Sequence, residues 1–146
     1  MKKIFSTLSI CAVLIGCSAA DFVKQPFPNL IKKVQISNED TAYQTAVECV
    51  TRQIRPAQVG QFFNYESEKY HKFISAFTFY GRHQGILRYS SNSKEATVEL
   101  TDVRWCNPDH SCIDADEFTQ KMVELLKPHA QETLDDFTKC LENNQR

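Results

Sequence analysis

The six cysteines in this 146-residue chain are the feature that most limits how it can fold. In an exported protein an even set of cysteines predicts a disulfide framework. In a reducing compartment the same residues more often bind metal or take part in catalysis. The compartment therefore has to be inferred before the fold. In chain order the residues are Cys11, Cys17, Cys49, Cys106, Cys112 and Cys140.

The amino terminus indicates export. Met1-Lys2-Lys3 is basic, and the segment from Ile4 to Gly16 carries no charge over 13 residues. A helix needs roughly 20 apolar residues to cross a bilayer. A basic head followed by a short apolar segment is typical of a secretory signal peptide.

The apolar segment ends in Leu14-Ile15-Gly16-Cys17, which resembles the lipobox of bacterial lipoproteins processed by signal peptidase II. The resemblance covers residues 1–17 and concerns processing alone. It implies that residues 1–16 are removed and that Cys17 becomes the first mature residue, held in the membrane by acyl chains. Ser18 beside it implies the periplasmic face of the outer membrane. The alternative is an ordinary signal peptide cut near Ser18-Ala19-Ala20, which leaves a soluble secreted protein.

Removal of Cys11 and lipidation of Cys17 leave four cysteines, for which three pairings are possible. Cys106 and Cys112 are the easiest to join, because the five residues between them include Asn and Pro. Cys49 then pairs with Cys140.

Residues 17–29 predict a lipidated tether, since Pro26 and Pro28 interrupt any regular period, and residues 30–146 predict one domain. Leu30 to Ile36 predicts a first strand. The aromatic segment from Phe62 to Tyr80 has an ambiguous period; residues 65–80 fit either a strand or a helix, and a strand from Lys72 to Tyr80 is favoured.

Two further strands follow this segment. Gly81 to Gly85 predicts a turn and Ile86 to Ser90 a strand. Glu95 to Trp105 alternates apolar and polar residues up to Thr101. The alternation then slips, which predicts a bulge near Asp102.

Helices are predicted on both sides of these strands. Ser37 to Asp40 is a helix start, and Pro56 ends that helix. Its apolar face is Tyr43, Ala46, Val47, Val50 and Ile54. A capping box at Asp114 to Glu117 predicts a second helix, with a face of Phe118, Met122 and Leu125. Pro128 is expected to end that helix, and a separate helical segment is predicted after it. The apolar residues of that segment, Ala130, Leu134, Phe137 and Leu141, lie on a different face.

Cys49 and Cys140 fall on the flanks of these helical faces, where neighbouring helices meet. The predicted fold is therefore α+β. A small antiparallel sheet of three or four strands packs against N-terminal and C-terminal helices, and disulfides stabilise it.

Composition argues against a nucleic-acid partner. The mature chain has a formal charge of about −3, because the signal peptide takes Lys2 and Lys3 with it, and nucleic-acid binding usually requires a basic surface. No cofactor or metal is predicted. A zinc site of Cys106, His110 and Cys112, with Asp109 or Asp114, is the alternative to a disulfide-closed loop, but its spacing is not a recurrent one.

The aromatic segment is interpreted as sheet core, or alternatively as a groove for a partner or an apolar ligand. Phe62, Phe63 and Phe77 are the candidate binding residues. The four histidines form no recognisable catalytic set and are interpreted as surface residues.

The favoured function is a non-catalytic interaction module that binds the membrane through Cys17 and an envelope protein through its surface; an enzyme is not expected. A carrier of an apolar small molecule, with its pocket between sheet and helices, is the main alternative. An inhibitor of an exogenous enzyme is a further one.

Overall fold

The computed structural model describes residues 23–53, 71–109, 111–113 and 117–145. A four-stranded antiparallel sheet, in the order β2-β5-β4-β3, packs against two helices, and a short pair of β1 with β6 lies beside it. The predicted α+β fold is confirmed. The elements are β1 (Lys24–Gln25), β2 (Leu30–Gln35), α1 (Glu39–Gln53), β3 (Lys72–Tyr80), β4 (His83–Ser91), β5 (Glu95–Trp105), β6 (Phe118–Thr119) and α2 (Gln120–Asn143).

The alternating residues of β5 make it a central strand. Ala96, Val98 and Leu100 are fully buried beneath the helices, and the polar residues between them face the other side of the sheet. The predicted bulge is present, because the β4–β5 register shifts opposite Asp102, whose φ is +52°. The bulge shifts the alternation by one residue, so that Val103 is buried although its parity is opposite to that of Leu100.

The strand predicted from Lys72 to Tyr80 is confirmed as β3. The turn after it is shorter than the predicted Gly81 to Gly85, since β4 already begins at His83. Gly81, at φ +55°, makes the tight turn. Gly85 instead lies within β4 opposite Phe77, and a Cβ at Gly85 would approach the Phe77 ring to 3.1 Å.

Helix α1 begins where predicted, because the Asn38 side chain accepts a hydrogen bond from the Thr41 amide at 2.9 Å. The predicted apolar face is rotated, however. Cys49, expected on the flank, is only 1% exposed and belongs to the core, while Tyr43 and Val47 pack at its margin. The buried residues of α1 are Ala42, Thr45, Ala46, Cys49 and Val50. Ile54 and Pro56 lie outside the described residues.

Helix α2 corrects two predictions. It begins only at Gln120, capped by Thr119, and it continues through Pro128 as a single helix. Pro128 lies on the exposed side, where water can bond the carbonyl that a proline leaves without an amide partner. One buried stripe runs along both sides of the proline and keeps the helix intact: Leu126, Ala130, Leu134, Phe137, Thr138 and Leu141.

The first predicted face of this region is also wrong. Met122 and Leu125 are exposed, and Phe118 lies in β6, upstream of the helix. The predicted capping box falls mostly on residues 114–116, which lie outside the described residues. No helix in the described part of the chain combines the length and apolar character needed to cross a membrane.

The structure brings both predicted cysteine pairs to bonding distance. Cys49 joins Cys140 with an S–S distance of 2.02 Å, which links α1 to α2. Cys106 joins Cys112 at 2.12 Å and closes a short loop after β5. Cys140 is partly buried, as its predicted flank position implies.

The described part of the predicted tether, residues 23–29, is packed on the domain. Lys24 and Gln25 pair with Thr119 and Phe118, and Lys24 forms an ion pair with Glu117. Phe27 is buried, with its ring centre 6.1 Å from that of Phe118. A two-residue strand carries too little alternation to be seen in sequence.

Candidate functional site

The predicted binding residues do not assemble into a site within the described residues. Phe77 is 0% exposed and packs beside Phe79 in the core of the sheet, so it has no surface to offer a ligand. Phe62 and Phe63 lie outside the described residues, as does Cys17. Candidate sites therefore have to be sought on other surfaces of the described structure.

The loop closed by Cys106 and Cys112 is held by its own hydrogen bonds. The Asn107 amide donates to the Ser111 carbonyl at 2.7 Å, and the Ser111 amide and hydroxyl both donate to Asp109. Because the two cysteines are bonded to each other, neither is a thiolate that could bind zinc. The other proposed ligands His110 and Asp114 lie outside the described residues. Within those that are described, no three His, Cys, Asp or Glu residues cluster as a metal site would require.

The described histidines each have a partner in the fold. His71 contacts Asp40 and Glu39 at 2.6 and 3.3 Å. The ring of His129 stacks on Tyr80, with ring centres 4.2 Å apart. His83 Nδ1 lies 2.9 Å from the Tyr80 carbonyl. Burial lowers the pKa of His83, and its Nε2 atom is buried without a hydrogen-bond partner in the described structure.

Exposed apolar side chains concentrate at one end of the molecule, which we call the apolar end. Of the six large apolar side chains that are well exposed in the described part of the chain, only Ile31 lies elsewhere. With the partly exposed Trp105, the apolar end comprises Val23, Tyr80, Trp105, Ile113, Met122 and Leu125.

The apolar end is built around one depression, and its other members lie next to that depression in the fold. Tyr80 is one of them, with its ring centre 6.1 Å from that of His83. Trp105, Ile113 and Met122 line one depression of about 300 Å³, together with His83, Glu117 and Phe118. The Ile113 amide donates to the Trp105 carbonyl at 2.8 Å, which fixes the end of the disulfide loop against β5. Leu125 follows Met122 by one helical turn, and Val23 precedes the residue that pairs with Thr119.

The second notable surface is the outer face of the sheet, on the side away from the helices. It is defined by Ile31, Ile74, Ala76, Ile86, Arg88, Thr97 and Glu99. No described helix packs on this face, since α1 and α2 share a single core with the inward-facing residues. Ile31 is 57% exposed there, and a depression of about 410 Å³ includes Ile74, Arg88 and Thr97.

Arg88 is held in place on this face. Its Nε donates to the Thr101 hydroxyl at 3.2 Å, and its Nη2 donates to Asp102 at 3.1 Å. The Thr101 hydroxyl, followed by Arg88, holds the pKa of the Asp102 carboxyl below its usual value. The sheet therefore presents a positioned guanidinium between Ile74 and Glu99, its register partners on β3 and β5.

Sequence reasoning missed the apolar end because it assigned Met122 and Leu125 to the core. The spacing of the apolar residues does indicate that Leu125 is exposed. Extending the later apolar stripe backward across Pro128 leads from Ala130 to Leu126 and leaves Leu125 without an inward position.

Comparison with known proteins yields neither a matching family model nor a matching curated protein. Among solved structures, TTHA0849 from Thermus thermophilus is similar with a TM-score of 0.44 and 12% identity, over 81% of this chain and 97% of that one. The Zhui aromatase/cyclase from Streptomyces sp. R1128 is similar with a TM-score of 0.42 and 9% identity, over 81% and 93% of the respective chains. Likeness at this level carries no information about activity.

Proposed function

We propose that the mature chain is a lipid-anchored, non-catalytic interaction module on the periplasmic face of the outer membrane. In this proposal Cys17 carries the acyl chains, and the outer face of the sheet docks an envelope protein. The observation that carries the docking proposal is the arrangement of both helices on one side of the sheet, which leaves the other side without a described covering element.

The chemistry of the outer face suits a protein partner. Arginine is enriched at protein interfaces and is frequent among the residues that dominate binding. Arg88 lies beside Ile74 in the register of β3 and β4. Because Thr101 and Asp102 already orient Arg88, little side-chain entropy remains to be lost on binding.

Rigidity supports the same role. The Cys49–Cys140 bond joins α1 to α2, and both helices share one core with the sheet, which supports a preformed outer face. A preformed surface reduces the cost of ordering loops and side chains on association.

The anchor is tested by replacing Cys17. We expect Cys17→Ser to leave the membrane fraction or to stall as an unprocessed precursor. Mass spectrometry of the mature wild-type chain should show acyl chains on Cys17. An unmodified terminus at Ala19 or later would contradict the anchor and leave a soluble secreted protein.

The docking face is tested by photo-crosslinking in cells, with a photoreactive residue at Thr97 and, as the control, at Glu132 of α2. We expect one adduct of defined mass from Thr97 and none from Glu132. Ile74→Ser should abolish the Thr97 adduct, whereas Met122→Ser at the apolar end should preserve it.

An adduct that survives Ile74→Ser, or equal adducts from both positions, would contradict docking on the outer face. Native mass spectrometry addresses the alternative function. Retention of a small apolar molecule by the purified chain would favour the carrier.

A further inference from the structure

We propose that the apolar end is the surface by which the domain rests on the lipid bilayer. This inference rests on the proposed anchor at Cys17 and adds the orientation of the domain on the membrane. The partner it commits to is the headgroup and upper acyl-chain region of the bilayer that holds the acyl chains.

The first argument is the position of the anchor. Val23 belongs to the apolar end and lies six residues after Cys17. A fully extended chain spans at most about 3.3–3.6 Å per residue, so Val23 lies within about 20 Å of the lipidated residue. Pairing of Lys24 with Thr119 also holds the start of α2 next to Val23. A lipid-anchored chain therefore holds this end of the domain close to the bilayer.

The second argument is the chemistry of the exposed side chains. Leu125 is 58% exposed beside Met122 on one face of α2, and Tyr80 and Trp105 extend the patch onto the sheet. Tyrosine and tryptophan are enriched where protein meets the membrane interface, because an apolar ring carries a polar group. Aliphatic side chains that face water at the end of the domain nearest the acyl chains gain free energy by entering that boundary.

The third argument is the distribution of exposed basic residues around the patch. Arg82 lies in the turn between Tyr80 and His83, and Lys121 and Lys127 flank the exposed turn of α2. Basic side chains next to an apolar patch favour the anionic headgroups of bacterial lipids. Glu117, which lines the depression and pairs with Lys24, and Glu124 of α2 are acids at this end, so we expect attraction to be modest and apolar contact to dominate.

Trp105 is the only tryptophan of the chain and therefore reports on this surface without labelling. The mature lipidated protein is reconstituted into vesicles of phosphatidylethanolamine and phosphatidylglycerol, with or without lipids brominated on the upper acyl chain. We expect Trp105 emission to shift to shorter wavelength relative to the Cys17→Ser chain in buffer. We also expect brominated lipid to quench it, because interfacial segments sit about 5–10 Å into the headgroup boundary.

The matched control moves the probe to the outer face of the sheet. Ile31 pairs with Glu99, six residues along β5 from Trp105, which corresponds to about 20 Å. In the Trp105→Phe/Ile31→Trp variant we expect little quenching by brominated lipid. Met122→Glu/Leu125→Glu, on an otherwise wild-type chain whose fold is checked by circular dichroism, should reduce the quenching of Trp105 severalfold.

The outcomes separate this inference from the proposed function. A chain without acyl groups on Cys17 overturns the anchor. Acyl groups on Cys17 with no quenching of Trp105, or with equal quenching of the position 31 probe, overturn the orientation and leave the anchor standing. A shorter emission wavelength without quenching by brominated lipid means that protein covers the patch, and it also overturns the bilayer contact.

Discussion

Gly85 shows how a single residue sets the packing of the sheet. Its missing side chain makes room for Phe77, whose ring would lie 3.1 Å from an added Cβ. We expect Gly85→Ala to lower the free energy of unfolding by ~1–3 kcal/mol, as overpacked cores do, measured by urea denaturation. Phe77→Leu should be less damaging in the Gly85→Ala background than in the wild type, and simple additivity of the two changes would contradict direct contact. Gly81→Ala is the matched control: nothing lies within 4 Å of an added Cβ there, and the cost of ~1–2 kcal/mol comes from its positive φ.

His83 gives the molecule a pH dependence near neutrality. Burial lowers its pKa from 6.5 in the folded state, so the unfolded chain binds the proton more readily. Stability is therefore complete above the unfolded pKa and falls as the pH drops through about 6.5. We expect the free energy of unfolding to decline between about pH 7 and 5, and His83→Gln to flatten that decline. The pKa of Asp102 is also lowered in the folded state. The stability that Asp102 contributes is therefore lost only as the pH falls below about 4. Asp102→Asn should therefore lower the free energy of unfolding by a constant amount at neutral pH and flatten only the acidic limb. Loss of the step near neutrality in that variant would contradict its assignment to His83.

At the scale of elements, Pro128 is the most testable departure from expectation. A proline inside a helix costs up to ~3 kcal/mol relative to alanine, and this one is exposed, so its replacement removes no core contact. We expect Pro128→Ala to raise the free energy of unfolding, and Lys127→Ala, its exposed neighbour, to change it by less than ~0.5 kcal/mol. An unchanged or lowered value for Pro128→Ala would show that the local helix geometry depends on the proline ring.

The predictability of each element follows from how far its own residues determine it. Strand β5 was predictable because alternation over a half-buried strand is a local property, and even its bulge shows as a slip in that alternation. The exposure of Leu125 was not predictable from local sequence, because it depends on whether packing against the core keeps the helix intact across Pro128. The burial of Cys49 likewise depends on where α2 lies against α1. The apolar end follows from these tertiary contacts, so it could not be predicted from the sequence.

At the scale of the whole molecule, the two disulfides are unequal. In the chain-entropy model, stabilisation grows with the logarithm of the closed loop. Cys49 and Cys140 differ by 91 in residue number, and Cys106 and Cys112 by 6, which corresponds to about 4.6 and 2.2 kcal/mol. We expect Cys49→Ala/Cys140→Ala to lower the melting temperature clearly more than Cys106→Ala/Cys112→Ala, with thermal unfolding followed in the Cys17→Ser background. Equal losses would mean that the short loop supports the core as well as the surface.

The pairing of β1 with β6 has a mechanical consequence for an anchored domain. A force that pulls the domain away from the membrane enters at Val23 and acts first on two paired residues and the Lys24–Glu117 ion pair. If this short pair and the buried Phe27 detach, the next resistance is the six-residue pairing of β2 with β5. The free segment then runs from Cys17 to Leu30, and its reach grows from about 20 to about 45 Å. The amino-terminal strand would thus act as a stored length of chain, released under tension while the disulfide-linked helices and the sheet remain folded.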